Sequence, residues 1–326
     1  MIFKKRKEKK NRGNKHPKKN KDRKVTNNTN SIKNNIAVFG ATGAGKTVYL
    51  AVLFHELKTR KLKDYLSLDT MTKYGESYTY LQELNKMIYE QQIWPPPTFK
   101  GRFQRIVFGL RYNLLYREKF GELAFTVSTN DVSGEDLQEL YDPEIIAEDF
   151  TKPLDPKMQA LFNRQEEIIS ESKAFIFLLD PLTEVTTAGE RPERMKKQKV
   201  LLRNLLYMIC KMNQEQKNND LTIFLCVSKN DEEELPEEKV DDYFRDKYLL
   251  PCLLAKSITD DVVYCALSST GGKIVKTIDG ETVSMPPPKS NIKPSNVLFP
   301  IKYLLYKEGV IEQEEEVFEQ EVLEKE

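Results

Sequence analysis

The sequence predicts a three-layer α/β fold, a mostly parallel sheet with helices on both faces. Three observations predict it. Apolar strand-like runs alternate with helix-period segments along most of the chain, the pattern that builds parallel sheets. Several of those runs, Phe175-Ile176-Phe177-Leu178-Leu179 above all, are apolar without alternation, as strands buried on both faces are. The first run, Ile36-Ala37-Val38-Phe39, leads into a glycine-rich turn and then an apolar helical segment.

That turn is the chemical centre of the chain. Gly40-Ala41-Thr42-Gly43-Ala44-Gly45-Lys46-Thr47 fits G-x-x-x-x-G-K-[ST] at every fixed position. Glycines let the backbone wrap close to phosphate oxygens and take φ values that a side chain resists. The N–H groups of residues 41–47 then point inward, and the helix that follows adds its positive dipole end. Lys46 is expected to reach the β- and γ-phosphates, and the Thr47 hydroxyl to ligate Mg²⁺. The strand–loop–helix context makes this a nucleoside triphosphate site, a P-loop NTPase fold.

Charge divides the chain. Residues 1–35 hold 14 Lys/Arg against two acids (+12), leaving 37 basic and 48 acidic residues (−11) in the rest. The Lys/Asn-rich segment 1–35 has too little apolar content to offset its ordering entropy and is expected to be a disordered tail. Its role is open between contact with nucleic acid phosphates, an anionic membrane surface or an acidic protein surface, and a solubilising extension with no partner. Residues 36–306 form the folded domain in this reading, and 307–326 an acidic C-terminal tail. No apolar run reaches membrane-spanning length, and the basic N-terminus has no apolar segment behind it, so a cytoplasmic protein is expected. Four cysteines without metal-ligand spacing read as free thiols in a reducing compartment.

In order, the P-loop helix is expected to end near Lys63, and helical periodicity returns over 74–92. Ile93-Trp94-Pro95-Pro96-Pro97-Thr98 is a stiff run ending in a hydroxyl. Strands are expected over 103–115 and 123–128, the second delivering Asp131-Val132-Ser133-Gly134. A D-x-x-G after a strand places a carboxylate near the Mg²⁺ shell and a glycine N–H near the γ-phosphate. Helices follow over 154–170, 197–212, 239–254 and 296–306, with strands at 174–180, 221–228 and 262–267. Residues 273–284 read as a β-hairpin turning at Asp279-Gly280. The candidate loops fall at the carboxyl ends of successive strands, where open α/β sheets bind ligands.

The order of these landmarks resembles the translation-factor-like (TRAFAC) class of P-loop GTPases, over residues 36–306, and within it the bacterial double-GTPase group. The resemblance implies GTP as ligand and substrate, with Mg²⁺. It implies that Asp131 and Gly134 belong to switch II, and that Ser228-Lys229-Asn230-Asp231 stands for the [NT]-K-x-D guanine motif. Asp231 would then hydrogen-bond the guanine N1 and N2, Lys229 would pack over the base, and Ser268-Ser269 would contact the guanine O6. Thr98 becomes the switch I candidate and, with Thr47 and Asp131, a metal ligand. The chain departs from the pattern in four places. Ser228 replaces Asn or Thr, the loop at Ser268-Ser269 lacks its Lys, Thr98 lies 52 residues after Lys46, and Glu135 stands where Ras-like enzymes place a water-orienting Gln. These imply slow hydrolysis, with Lys46, Thr98, Gly134 and Glu135 as catalytic candidates and a protein partner or second protomer supplying a missing group. Two other readings stand beside the switch. One is a motor-type ATPase with Asp180 as metal-side acid. The other is a nucleotide-binding scaffold with little turnover.

Overall fold

The computed structural model describes residues 34–311, except 60–61, 63–64, 70–74, 99–102, 114–119, 133, 141–155, 184–188, 217–219 and 279–280. Of the expected tails (1–35 and 307–326), residues 1–33 and 312–326 lie outside the described residues, as do the hairpin turn at Asp279-Gly280 and the side chains of Asp131 and Glu135. Asn35 and residues 307–311 belong instead to the folded domain.

Seven strands form one sheet in the order β2-β3-β4-β1-β5-β6-β7. They are β1 (Asn35–Gly40), β2 (Leu66–Asp69), β3 (Phe103–Tyr112), β4 (Leu123–Val132), β5 (Ser172–Leu179), β6 (Thr222–Val227) and β7 (Val262–Ala266). The pairs β4–β1, β1–β5, β5–β6 and β6–β7 are parallel, and β2–β3 and β3–β4 antiparallel. The fold is thus the mostly parallel, helix-flanked α/β sheet that the sequence predicts.

Side-chain alternation divides the core between the two faces. Ile36 and Val38 of β1, Ile176 and Leu178 of β5, and Phe224 and Cys226 of β6 join one apolar cluster. Their neighbours Ala37, Phe39, Phe175, Phe177, Ile223 and Leu225 join the other. The first face is covered by α1 (Lys46–Thr59), α2 (Gly75–Lys86) and the C-terminal helix. The second is covered by α3 (Gly134–Leu140), α4 (Pro156–Glu171), α5 (Glu190–Gln216), α6 (Val240–Lys247) and α7 (Leu249–Ile258). Helix α8 (Phe299–Lys307) closes the first face, and Val310 and Ile311 pack in the same core.

Several elements depart from expectation. The strand expected over 123–128 runs on to Val132, so Asp131 lies inside β4 rather than after it. The helix expected over 197–212 spans Glu190–Gln216. The strand β2 has no signature in its four residues and exists because Leu66–Asp69 finds Gly109–Tyr112 of β3. Helix α1 is described over Lys46–Thr59, and Leu62 already lies in a turn. The segment expected as one helix over 239–254 is two, α6 and α7, broken at Tyr248 (φ −132°, ψ 31°). Pro251 is the physical reason: in a continuous helix its ring would meet the carbonyl of Lys247, whereas in the first turn of a new helix it is tolerated.

The expected hairpin is present as β8 (Ile274–Ile278) paired with β9 (Glu281–Met285), separate from the main sheet.

Candidate functional site

A cavity of about 440 Å³ opens at the carboxyl ends of β1, β6 and β7. The whole loop Gly40–Thr47 lines it, with Thr98, Ser228, Lys229, Asp231 and Ser269. Segments separated by up to 244 positions in the chain (Gly40 to Ser284) therefore meet in one pocket, of the size that holds a small ligand.

The loop's conformation follows from its glycines. Gly43 and Gly45 sit at φ 80° and 75°, in the left-handed region that favours glycine. A Cβ added at Gly43 would stand 3.1 Å from Arg194 Nη2. The Ala44 N–H donates to the Ala41 carbonyl (3.1 Å), and helix α1 begins with the Tyr49 N–H on the Gly45 carbonyl (2.8 Å). Lys46 is 8% exposed and donates from Nζ to the Asn130 carbonyl of β4 at 3.0 Å. That contact tethers the ammonium between the loop and the strand that leads to Asp131. These features fit a polyphosphate: a wrapped backbone and an ammonium beside it, with Thr47 and Thr98 also among the lining residues. The register Gln104↔Asp131 places the Asp131 backbone one residue beyond Asn130, paired with β3.

At the other end, β6 and β7 deliver two loops side by side. The Ser228 hydroxyl donates to the Leu179 carbonyl (3.1 Å), so this serine ties its loop to β5. Lys229 adopts φ 53° and reaches Asp180 Oδ2 at 3.1 Å. Asn230 braces the loop from within: its Nδ2 donates to the Leu235 carbonyl (3.2 Å) and its Oδ1 accepts the Leu235 N–H (3.0 Å). Asp231 accepts a hydrogen bond from the Ser268 hydroxyl, whose oxygen in turn accepts the Gly271 N–H at 2.9 Å. Ser268 is buried (2% exposed) and does not line the cavity, whereas Ser269 does. The first serine of the pair therefore orients Asp231, and the second faces the ligand space.

Asp180 is part of the same construction. It is 3% exposed; Oδ2 faces Lys229 and, at 3.9 Å, Arg194, while Oδ1 accepts the Leu182 N–H (2.9 Å). Its backbone is clasped by Gln198, which accepts from the Asp180 N–H and donates to its carbonyl. Glu232, also on the cavity wall, accepts from Thr183 (2.8 Å) and pairs with Lys273 at 3.3 Å. Burial pushes its pKa above the ordinary carboxylate value, and Asp231 and Asp180 add to the rise against the Thr183 hydroxyl and Lys229.

Several lining residues escape sequence reasoning: Trp94, Glu232, Lys273 and Ser284. Trp94 donates from Nε1 to Ser284 Oγ (3.3 Å), a contact across 190 positions. Position beside a motif was the available signal for Glu232. For Trp94 the proline run carried it, since three prolines stiffen whatever precedes them. His55, outside the site, stacks on Tyr89 with ring centroids 3.9 Å apart. Among the described residues no cluster of His, Cys, Asp and Glu could hold a metal by itself, and the four cysteines are free.

Among solved structures, the chain is similar to the GTPase-like domain of S. cerevisiae Ski7 bound to GTP, at 13% identity and a TM-score of 0.37, over 72% of this chain and 42% of that one. It is also similar to the signal recognition particle receptor SRb-GTP/SRX complex from Chaetomium thermophilum, at 12% identity and a TM-score of 0.38, over 73% and 94% of the two chains. The chain thus spans less than half of the Ski7 chain, and likeness at such TM-scores identifies neither substrate nor partner. No curated protein matches. A model of the Double-GTPase 2 family matches residues 34–250, two thirds of the chain. With the loop Gly40–Thr47 and the sheet order around it, this places the chain in the Double-GTPase 2 family, among P-loop GTPases of the double-GTPase type.

Proposed function

We propose that the protein is a GTP-binding molecular switch whose hydrolysis is slow and stimulated by a protein partner or a second protomer. The observation that carries this reading is the single cavity in which the Gly40–Thr47 loop, the Ser228–Asp231 loop, Ser269 and Thr98 converge. In this reading the backbone of residues 40–47 and Lys46 hold the phosphates, and Mg²⁺ is held by Thr47, Thr98 and Asp131. Asp231, oriented by Ser268, reads the guanine edge, Lys229 covers the base and Ser269 meets O6. Bound GTP with Mg²⁺ supplies the γ-phosphate contacts that order the segments at Thr98 and Gly134, and its loss releases them.

Hydrolysis asks little covalent chemistry of the chain, so its residues position and neutralise. Lys46 moves from the Asn130 carbonyl to the phosphates. Glu135 stands where a water-orienting group acts, and a carboxylate facing a γ-phosphate repels it. We infer from this a low intrinsic rate. The domain expected over 36–306 is extended to Asn35–Ile311, since Asn35 opens β1 and Val310 and Ile311 pack in the core. The protein is assigned to the cytoplasm, with the basic segment before the domain reserved for an anionic partner. Among the described residues, no helix is long and apolar enough to cross a membrane.

The motor-type reading needs Asp180 free to serve a metal, and its carboxylate is engaged by Lys229, Arg194 and the Leu182 N–H. Calorimetry with Mg²⁺, comparing GTP, GDP and ATP on wild type and Asp231→Ala, tests the proposal. Guanine nucleotides are expected to bind wild type tightly and the variant weakly. ATP preference indifferent to the substitution would overturn it.

A further inference from the structure

None of the motif segments contains Trp94, yet the residue lines the cavity, and its indole N–H reaches Ser284, another lining residue. The residue is held at two places. Behind it, a π-helical turn (Met87–Gln91) ends at Gln92 in the left-handed conformation (φ 55°), which redirects the chain toward the site. Beside it, Ser284 of β9 accepts the indole N–H. Ahead of it run three prolines, all on the cavity wall, and then Thr98. Prolines lock φ and force extended geometry on the residue before them. At about 3.1 Å per residue, the four steps from Trp94 to Thr98 reach about 12 Å.

The hairpin β8–β9 fixes which end of the cavity the indole occupies. Its first strand begins two residues after Gly272, at the end of the Ser268–Gly272 loop beside Asp231. Lys273 and Ser284 bring the hairpin's base onto the cavity wall. On the register Val275↔Ser284, these two residues share a face, and Val275 is 56% exposed. Trp94 therefore stands at the end of the cavity that carries Asp231, the purine–ribose end in the proposed reading.

We propose that Trp94 is a nucleotide-contacting residue: its indole, held by Ser284, packs over the purine and ribose, and the proline run links it rigidly to Thr98. The inference rests on the proposed guanine nucleotide site. The flat apolar face supplies stacking and keeps water from the open side of the pocket, while the N–H stays satisfied by Ser284. The hairpin thereby becomes a retention element, slowing nucleotide release without contacting phosphate.

Trp94 is the single tryptophan of the chain, so its fluorescence reports the site directly. The full chain is titrated with Mg²⁺-GDP while tryptophan emission is followed. Dissociation of a fluorescent GDP analogue is then timed for wild type, Trp94→Ala, Trp94→Phe and Ser284→Ala. Emission is expected to change saturably with GDP. Trp94→Ala is expected to release the analogue about tenfold faster or more, the scale of one lost aromatic–base stack. Trp94→Phe should stay near wild type, and Ser284→Ala should fall between. If calorimetry shows GDP binding while emission and all release rates stay unchanged, the indole contact is overturned and the guanine site stands. If wild type binds neither GDP nor GTP, the functional reading fails and this inference with it.

Discussion

Replacing Lys229 by Ala leaves Asp180 nearly stranded. That carboxylate is 3% exposed and loses its 3.1 Å partner, keeping among the described residues the Leu182 N–H and Arg194 at 3.9 Å. Removing one partner of a fully buried ion pair costs about 3–5 kcal/mol. The Lys229 side chain is 29% exposed and Arg194 remains, so solvent screening lowers the expectation to about 2 kcal/mol. For a domain of this size, that is a fall of about 4–8 °C in Tm. Denaturant unfolding of Lys229→Ala, Asp180→Asn and the double variant checks it. Asp180→Asn alone removes the charge and keeps an acceptor for Leu182, so about 1 kcal/mol is expected. The double variant should lose less than the sum of the two, because no buried charge is left without a partner. Lys229→Ala within about 0.5 kcal/mol of wild type, below the usual effect of breaking such a pair, would refute the reasoning. The same Asp180→Asn protein should keep its Mg²⁺-dependent nucleotide affinity. A large loss there would place Asp180 in a metal shell and restore the motor reading.

Further predictions concern the base loops, the switch and pH. Asp231→Ala should weaken GTP more than ITP, which lacks the N2 amine; each charge-assisted hydrogen bond is worth about 1.5–3 kcal/mol, so the GTP-over-ITP preference of wild type should collapse in the variant. Gly271→Ala forces a φ of 71° on a residue with a side chain and sets its Cβ 2.5 Å from the Lys293 carbonyl, itself held by the Lys293 N–H on Thr270. A loss of about 2–3 kcal/mol in denaturant unfolding is expected, with weaker guanine binding because the Gly271 N–H supports Ser268. Glu135→Gln removes the charge proposed to oppose the γ-phosphate, and single-turnover GTP hydrolysis should speed up relative to wild type. At acid pH, Asp261 matters. Burial opposes its carboxylate, but hydrogen bonds from Lys307, Thr222 and Tyr303 prevail and lower its pKa. Its contribution is therefore present above the ordinary aspartate pKa of about 3.9 and is lost as pH falls through the lowered value. Asp261→Asn should flatten that part of the acid-unfolding curve.

What the sequence determined by itself is contiguous. The fold class, the phosphate loop, the Ser228–Asp231 loop and the hairpin are each written in a short run of residues. Local rules carry them: period-2 and period-3.6 patterns, glycines at left-handed positions, a turn signal between β8 and β9. The sites could be ordered along the chain because a parallel sheet sends its loops to one edge. Pro251 was a legible break that apolar periodicity hid.

The tertiary structure decided the pairings between segments. Asp180 closes an apolar strand and reads as a metal acid until β5 and β6 lie side by side, when Lys229 falls within 3.1 Å of it. Ser268 and Ser269 are equivalent on paper, and the strand ends turn one toward Asp231 and the other into the cavity. The four residues of β2 carry no pattern strong enough to be a strand until β3 offers a ladder. Trp94 and Ser284 belong to segments with no shared signature. They meet because the hairpin and the proline run both border the cavity. Such contacts depend on sheet order and on the paths of long connections, which no window of neighbouring residues encodes.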